Sequence, residues 1–251
     1  MKQQVHILNG DALKEQFPAG ITGTQIVARE CLVDGDVKGE TLKEFFQTRA
    51  SFIAGLGLGE KAEDYYQKVV PEFEQMQQIP EGTEINLWFE DDLFCQVNCW
   101  FVSYLLLQTY GTDRAVFLVR PPKLTPYGFG ALTRQGLQQA FKGRLPLIHQ
   151  EKLALLWVYY RDQNTEGLRK VGQELQAVYP FILPAVEAYI ASLPTPESLG
   201  RPKETLLAIM KELNTREFGL VFREFCQRGA IYGFGDLQVK RLYDELIRDI
   251  F

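Results

Sequence analysis

Two short polar segments carry the residue types that could do chemistry in this sequence. The first is Asn9–Asp11, which reads Asn-Gly-Asp, and the second is Glu90–Asp92, which reads Glu-Asp-Asp. Carboxylates in such segments can hold Mg²⁺ together with substrate oxygens, or can move protons. A plain turn followed by a capped helix start is the alternative explanation for both segments, because acids favour turns and helix N-termini.

Each polar segment follows a short apolar run that predicts a β-strand. Val5–Leu8 precedes the first segment, and Glu84–Phe89 precedes the second. The residues after each segment predict a helix, with Asp11 as the N-cap of the first helix. Because ligands of open α/β sheets bind outside the carboxyl ends of the strands, we expect one site built from both segments.

Three further polar residues join this predicted site. Arg29 and Glu30 lie near the end of a second predicted strand, Gln25–Leu32, where Arg29 could clamp a phosphate or form a structural ion pair. Gln96 follows Asp92 by four residues and therefore shares its helix face. The roles that we predict are Asp11 and Asp92 as catalytic acids, Glu90 and Asp92 as metal ligands with Mg²⁺ as the candidate cofactor, and Asn9, Gly10, Arg29, Glu30 and Gln96 as ligand-binding residues.

Composition and charge exclude several other classes of protein. The net charge is -5, which argues against a dominant non-specific grip on nucleic acid. The four cysteines form no CxxC pair, so we expect reduced thiols in a cytoplasmic protein. The longest apolar run, Cys99–Leu107, is far too short to span a membrane, and the N-terminus does not have the pattern of a signal peptide. The sequence contains neither a dinucleotide-binding fingerprint nor a Walker A motif.

The pattern of predicted elements divides the chain near residue 125. Residues 1–124 alternate between strands and helices, which predicts an α/β domain with a Rossmann-like parallel or mixed sheet flanked by helices. Residues 125–251 contain only helical patterns and predict an all-helical domain. Three short helices near the C-terminus, 203–213, 217–228 and 238–250, have the layout that a helix-turn-helix-like unit needs, although a packing or partner-binding role of these helices is the favoured interpretation.

Several segments of the sequence resemble a family of uncharacterised bacterial proteins, domain of unknown function 1835. The resemblance is carried by His6–Asp11, Ile26–Gly35, Arg49-Ala50, Leu87–Gln96, Leu199–Arg201 and Phe234–Asp236. It implies that Asn9, Gly10, Asp11, Glu30, Trp88, Asp92 and Gln96 occupy motif positions of the family. Relatives often have a histidine where this sequence has Asp91, so a step that needs histidine would be absent here or carried by a carboxylate. The family has no established activity to transfer.

These observations lead to two functional hypotheses. In the first, the α/β domain binds or processes a phosphate-bearing small molecule or a nucleotide at its strand ends. In the second, the protein is a regulatory or interaction protein whose helical C-terminal region binds a protein or a nucleic acid, although the overall charge does not favour nucleic acid. A fold in which all the polar turns are caps is the structural alternative to both hypotheses.

Overall fold

A single five-stranded β-sheet forms the centre of the computed structural model, which describes residues 2–57, 59–125 and 127–250. The strands are β1 (Gln4–Leu8), β2 (Thr24–Val27), β3 (Glu84–Trp88), β4 (Val116–Val119) and β5 (Leu145–Pro146). Their order across the sheet is β2-β1-β3-β4-β5. The first four strands pair in parallel, and β5 pairs antiparallel with β4. The predicted α/β class with a mixed sheet is therefore confirmed.

The strand order reverses between β1 and β3. From β1 the chain moves to β2 on one side of the sheet, and it later returns to β3 on the other side. β1 and β3 pair in register, so that Leu8 lies opposite Trp88. The segments that follow the two strands therefore leave the sheet side by side, and the backbone N–H of Asn9 still donates to Trp88 O at 3.3 Å.

The central strands are mostly buried and rich in apolar residues, as expected for parallel strands covered on both faces. His6 is a polar residue of β1 whose side chain is fully buried. Trp88 Nε1 donates to His6 Nδ1 at 3.2 Å, so His6 Nε2 carries the proton and donates to Thr22 O at 3.1 Å. Because both ring nitrogens are engaged within the core, His6 has a structural role.

Helices cover the sheet, and turns and loops connect them. They are α1 (Asp11–Glu15), α2 (Leu42–Gly55), α3 (Ala62–Lys68), α4 (Val70–Met76), α5 (Leu93–Tyr110), α6 (Arg134–Lys142), α7 (Gln150–Arg161), α8 (Thr165–Leu175), α9 (Ile182–Ser192), α10 (Arg201–Glu212), α11 (Phe218–Arg228) and α12 (Asp236–Ile250). Short 3₁₀ turns occur at Gly128–Ala131 and Ala230–Tyr232. Within the described ranges, no helix combines the length and the apolar character that crossing a membrane requires.

Pro71 predicts a break or a kink within the stretch 61–77, and the chain does break there into the two helices α3 and α4, because proline lacks an N–H and fits the first turn of a new helix. Two local predictions differ from the structure. The second strand ends at Val27 and not at Leu32, since the backbone turns where Arg29 N donates to Val27 O. The N-cap of α1 is Gly10, whose φ of +95° favours glycine, and Asp11 is the first helical residue.

The hydrophobic core extends across the boundary that we predicted near residue 125. α5 packs against α7 and α9, and one buried cluster contains residues from Val5 to Leu246. Strand β5 also comes from the half of the chain that predicted only helices. The division into two domains therefore stays a prediction, and the packing joins both halves.

Candidate functional site

The two polar segments predicted from the sequence meet at the carboxyl ends of β1 and β3. Asn9 follows β1, and its side-chain Nδ2 lies 2.9 Å from Cys95 Sγ in the first turn of α5. Glu90 and Asp92 follow β3 and immediately precede that helix. One potential ligand atom from each of Glu90, Asp92 and Cys95 lies within 4.8 Å of the other two. We call these three residues the carboxylate–thiol cluster.

Local helix geometry brings the members of the carboxylate–thiol cluster together. Asp92 is the N-cap of α5, and its Oδ1 accepts a hydrogen bond from Cys95 N at 2.9 Å. This capping bond is the usual reason for Asp at such a position. It also fixes the Cys95 backbone beside the Asp92 carboxylate. Helix capping therefore explains the presence of Asp92 at this position. It does not explain the Glu90 carboxylate beside it.

Both carboxylates of the cluster are withdrawn from water. Asp92 is 4% exposed, and Glu90 is partly buried. Burial and the neighbouring Asp92 carboxylate raise the pKa of Glu90 to about 7. Burial also raises the pKa of Asp92. The pKa of the Cys95 thiol is raised by burial and by the negative charges of the two nearby carboxylates. Both protonation states of Glu90 are therefore populated at neutral pH.

A chain of buried amides fixes the hydrogen-bond direction at Cys95. The backbone N–H of Leu32 donates to Asn98 Oδ1 at 3.1 Å, so the Asn98 amide nitrogen must point the other way. Asn98 Nδ2 donates to Asn9 Oδ1 at 2.8 Å. Asn9 must then donate through Nδ2 to Cys95 Sγ, which leaves the thiol S–H to donate to Glu90 Oε2 at 3.8 Å.

Two glycines allow the backbone to approach the carboxylates closely. Gly128 has φ +45° and Gly233 has φ +63°. A Cβ built on Gly128 would overlap the Glu90 carboxylate, and one built on Gly233 would overlap the Asp92 carboxylate. Next to Gly128, the backbone N–H of Phe129 donates to Glu90 Oε1 at 2.6 Å. The site is therefore covered by two segments from the second half of the chain.

Gln96 and Asp91 support the site in different ways. Gln96 Nε2 donates to Glu90 O at 2.6 Å, while its buried Oε1 has no partner within the described ranges. Asp91 turns away from the cluster and forms a two-fold ion pair with Arg120, at 2.6 and 2.5 Å. The Arg120 guanidinium stacks over the Phe181 ring. Asp91 is therefore a structural ion-pair partner and not a member of the carboxylate–thiol cluster.

A cleft of about 880 Å³ opens beside the cluster, between the strand ends and helices α3 and α4. Five residues of the predicted site line it: Asn9, Gly10, Asp11, Arg29 and Glu30. Glu90, Asp92 and Gln96 are not part of its lining. Asn9 lies between the two places, since it lines the cleft and also contacts Cys95.

Arg29 in this cleft is held by two carboxylates. Its Nε lies 2.9 and 2.8 Å from the two Asp11 oxygens, and its Nη1 donates to Glu72 Oε1 at 2.7 Å. The Asp11 hydrogen bond is the main cause of the raised pKa of Arg29. The charge of Arg29 is thus shared with acids of the cleft, which weakens its predicted role as a phosphate clamp.

Glu30 is a buried structural anchor at the wall of the cleft. Its carboxylate accepts hydrogen bonds from Arg49 Nη2 at 2.8 Å and from Tyr65 OH at 2.6 Å. Arg49 is fully buried, and it also donates to Asp34 O at 2.6 Å. Both Glu30 oxygens are occupied by these bonds, so Glu30 positions the cleft wall and offers little to a ligand.

The sequence analysis missed three residues that shape the site. They are Cys95, Gly128 and Gly233. Cys95 had a signal in the sequence, because it follows Asp92 by three residues and thus shares its helix face. The two glycines had none, since their role depends on distant parts of the chain that meet only in the fold.

Comparisons with known proteins add no family assignment to this geometry. No family model matches the sequence. A search of curated proteins likewise finds no match. The site is therefore interpreted from its own residues.

Proposed function

We propose that the protein binds a small polar molecule in the cleft at the carboxyl ends of β1 and β2 and processes it with the adjacent carboxylates. One observation carries this proposal: the cleft is lined by Asn9, Gly10, Asp11, Arg29 and Glu30, which the sequence alone had indicated. Its volume of about 880 Å³ is within the usual range for small-molecule sites.

The strand order supports a Rossmann-like interpretation of the sheet. In doubly wound folds, ligands bind where the strand order reverses, and here the order reverses between β1 and β3. The segments after these two strands contain Asn9 and Glu90, which lie on either side of Cys95. We also propose that the chain belongs to the family named domain of unknown function 1835, because the resemblance in sequence rests on these same segments.

The charge of the cleft favours a ligand that offers hydrogen-bond donors. The charged residues of its lining are Asp11, Glu30, Glu60, Asp64 and Glu72 on the acidic side, and Arg29 and Lys68 on the basic side. Because carboxylates outnumber cations, a free phosphate group would meet repulsion. A nucleotide therefore fits best with Mg²⁺ on its phosphates, or with its sugar hydroxyls toward the acids.

Asn9 and Cys95 connect the cleft to the carboxylate–thiol cluster. Asn9 lines the cleft and donates to Cys95, and Cys95 donates to Glu90. A ligand that contacts Asn9 would thus lie within two side chains of the Glu90 carboxylate.

Thermal stability measurements with a ligand panel test this function. The panel contains ATP and GTP with and without Mg²⁺, adenosine, and the cationic amine spermidine. At least one of these ligands should raise the melting temperature of the wild-type protein, because a ligand that binds only the folded state stabilises it. The shift should be much smaller for Asp11→Ala, which removes an exposed carboxylate of the cleft.

The matched control is Asp113→Ala, an exposed aspartate just before the amino end of β4, whereas the cleft lies at the carboxyl ends of the strands. This variant should keep the full wild-type shift. The proposal is wrong if no member of the panel stabilises the wild-type protein, or if Asp11→Ala responds like Asp113→Ala.

A helix-turn-helix-like role of α10, α11 and α12 stays a separate prediction. A nucleic-acid-binding version of this role would use cations of α11, such as Arg228. Arg228 instead forms ion pairs with Glu212 at 2.6 Å and with Glu224 at 2.7 Å. Two carboxylates thus neutralise this arginine, so the nucleic-acid version of the alternative has less support than the cleft.

A further inference from the structure

We propose that Glu90, Asp92 and Cys95 bind a borderline-soft divalent cation of the zinc type, with the Cys95 thiolate as a direct ligand. This inference deepens the proposed function, because it names the cofactor class of the site beside the cleft. It replaces the Mg²⁺ that the sequence suggested for the two carboxylates. Three features favour such a cation: the convergent ligand atoms, the N–H groups that donate to these atoms, and a buried amide beside them.

The ligand atoms already converge. One oxygen of Glu90, one oxygen of Asp92 and the sulfur of Cys95 all lie within 4.8 Å of one another. Zn²⁺ is bound by carboxylate oxygens and by thiolate at about 2.0–2.3 Å, so small side-chain movements suffice to close such a set around one ion. Three protein ligands leave a fourth position open, as in catalytic zinc sites.

Each of the three ligand residues also accepts a hydrogen bond from a neighbouring N–H group, and this bond would orient the residue toward the ion. Phe129 N donates to Glu90 Oε1, Cys95 N donates to Asp92 Oδ1, and Asn9 Nδ2 donates to Cys95 Sγ. Metal ligands in proteins typically have such outer partners, which fix their orientation and tune their basicity. The Glu90 oxygen that remains, Oε2, is the one that faces Cys95.

Unsatisfied polarity at the same place points to a missing cation. Among the described residues, no lysine or arginine forms an ion pair with Glu90 or Asp92, and the nearby Arg120 pairs with Asp91 instead. Gln96 is 2% exposed and lies against Glu90 through its Nε2, yet its Oε1 has no partner in the described part of the chain. Buried acids and a buried amide oxygen are costly unless paired, and a bound cation would relieve both costs.

The sulfur decides the class of cation. Mg²⁺ prefers oxygen ligands and keeps several waters, whereas a cysteine ligand selects zinc-type metals. The ligand must be the thiolate, so binding displaces the Cys95 proton into solvent. The Asn9 amide already donates to this sulfur and would stabilise its negative charge.

Titration of the metal-free full-length protein with Co²⁺ and Zn²⁺ tests the proposal. Co²⁺ should bind in one equivalent and give a thiolate-to-cobalt charge-transfer band, and Zn²⁺ but not Mg²⁺ should remove that band. The variant Cys95→Ser should lose the band, and Glu90→Gln should weaken Zn²⁺ binding. Removal of the outer partner by Asn9→Ala should weaken Zn²⁺ binding by about tenfold or more.

The matched control is Cys99→Ala, which changes a buried cysteine one helical turn further along α5, outside the cluster. Circular dichroism of every variant checks the fold, and Glu90→Gln keeps the test valid if Cys95→Ser does not fold. The proposal is overturned if the wild-type protein gives no cobalt–thiolate band, if Cys95→Ser keeps the band, or if Mg²⁺ competes as well as Zn²⁺. No small molecule is present in this titration, so its failure would leave the ligand test of the cleft unaffected.

Discussion

The Asp92 carboxylate occupies the space that a side chain at position 233 would need. Gly233 has φ +63°, and a Cβ built on it would overlap Oδ1 of Asp92. Asp92 caps the central helix α5, whereas Gly233 lies just before the last helix, α12. Two distant parts of the sequence are therefore packed together at the carboxylate–thiol cluster.

The first prediction concerns Gly233→Ala. Both the positive φ and the overlap with Asp92 should destabilise this variant, by about 3 kcal/mol in total. The matched control is Gly82→Ala, because Gly82 has φ +73° but has open space around its Cβ position. That control should lose only about 1 kcal/mol, from backbone strain. Urea denaturation measures both values.

A double-mutant cycle isolates the contact between the two residues. Asp92→Gly removes every side-chain atom that position 233 meets, and glycine is tolerated as a helix N-cap. Combined with Gly233→Ala, it should give a coupling of more than about 0.5 kcal/mol. Additive effects of the two substitutions would show that the contact does not limit position 233.

The second prediction concerns the pH dependence of stability in the metal-free protein. The folded-state pKa of Glu90 is raised from 4.5 to about 7, so the folded protein keeps a proton that the unfolded chain has lost. Its contribution to stability is present below pH 4.5 and is lost as the pH rises to about 7. Glu90→Gln should remove this decline, which is about 2 to 3 kcal/mol.

The free energy of unfolding, measured by urea denaturation between about pH 5 and about pH 8, checks this prediction. The control is Glu166→Gln, which changes an exposed glutamate in α8. Wild type and control should show the same pH profile. Equal profiles for wild type and Glu90→Gln would contradict the assignment of the titrating group.

The third prediction concerns the buried amide chain. Asn98→Ala removes three hydrogen bonds, those with Leu32 N, Asn9 Oδ1 and Glu30 O, and leaves a buried N–H without an acceptor. It should lower the free energy of unfolding by about 2 to 4 kcal/mol. The control, Ser103→Ala in the same helix, removes a buried hydroxyl without a partner in the described ranges, and it should be neutral or stabilising. Equal losses for the two variants would refute this account.

The fourth prediction concerns the buried ion pair of Glu30 and Arg49. Arg49→Met leaves the Glu30 carboxylate buried without its cation, and it should cost about 3 to 5 kcal/mol. The double variant Glu30→Leu/Arg49→Met should lose less than the sum of the single variants. As a surface control, Arg169→Ala breaks the half-exposed pair with Glu187 and should have little effect on stability, because water screens exposed ion pairs. Thermal or urea denaturation compares all four.

Local patterns in the sequence were sufficient to predict the two central strands, β1 and β3, and to place the two polar segments after them. The apolar runs Val5–Leu8 and Glu84–Phe89 predicted β1 and β3, because burial on both faces of a parallel strand leaves a continuous apolar pattern. Strand β5 escaped prediction, since Leu145–Pro146 is only two residues long and depends on pairing with β4. Pro71 indicated a break correctly, but not that a separate helix begins there.

The chemistry of individual site residues was harder to predict. Arg29 and Glu30 are adjacent in sequence, yet Arg29 faces the cleft and Glu30 is bound to the buried Arg49. In an irregular segment, the directions of two adjacent side chains do not follow from their spacing. The different roles of Arg29 and Glu30 can therefore be seen only in the fold. Cys95 was interpreted as a core thiol because its carboxylate neighbours were not considered as partners. The nucleotide, the metal and the domain boundary stay predictions.

Helix α5 has a consequence for how this protein could have evolved. Its buried residues surround the whole helix, and it packs against α7 and α9 as well as lying in the same buried cluster as the strands. A gene segment that encoded only the sheet half would leave much of this apolar surface open to water and prone to aggregation. The two halves of the chain would therefore have to be inherited, duplicated or fused to other genes together.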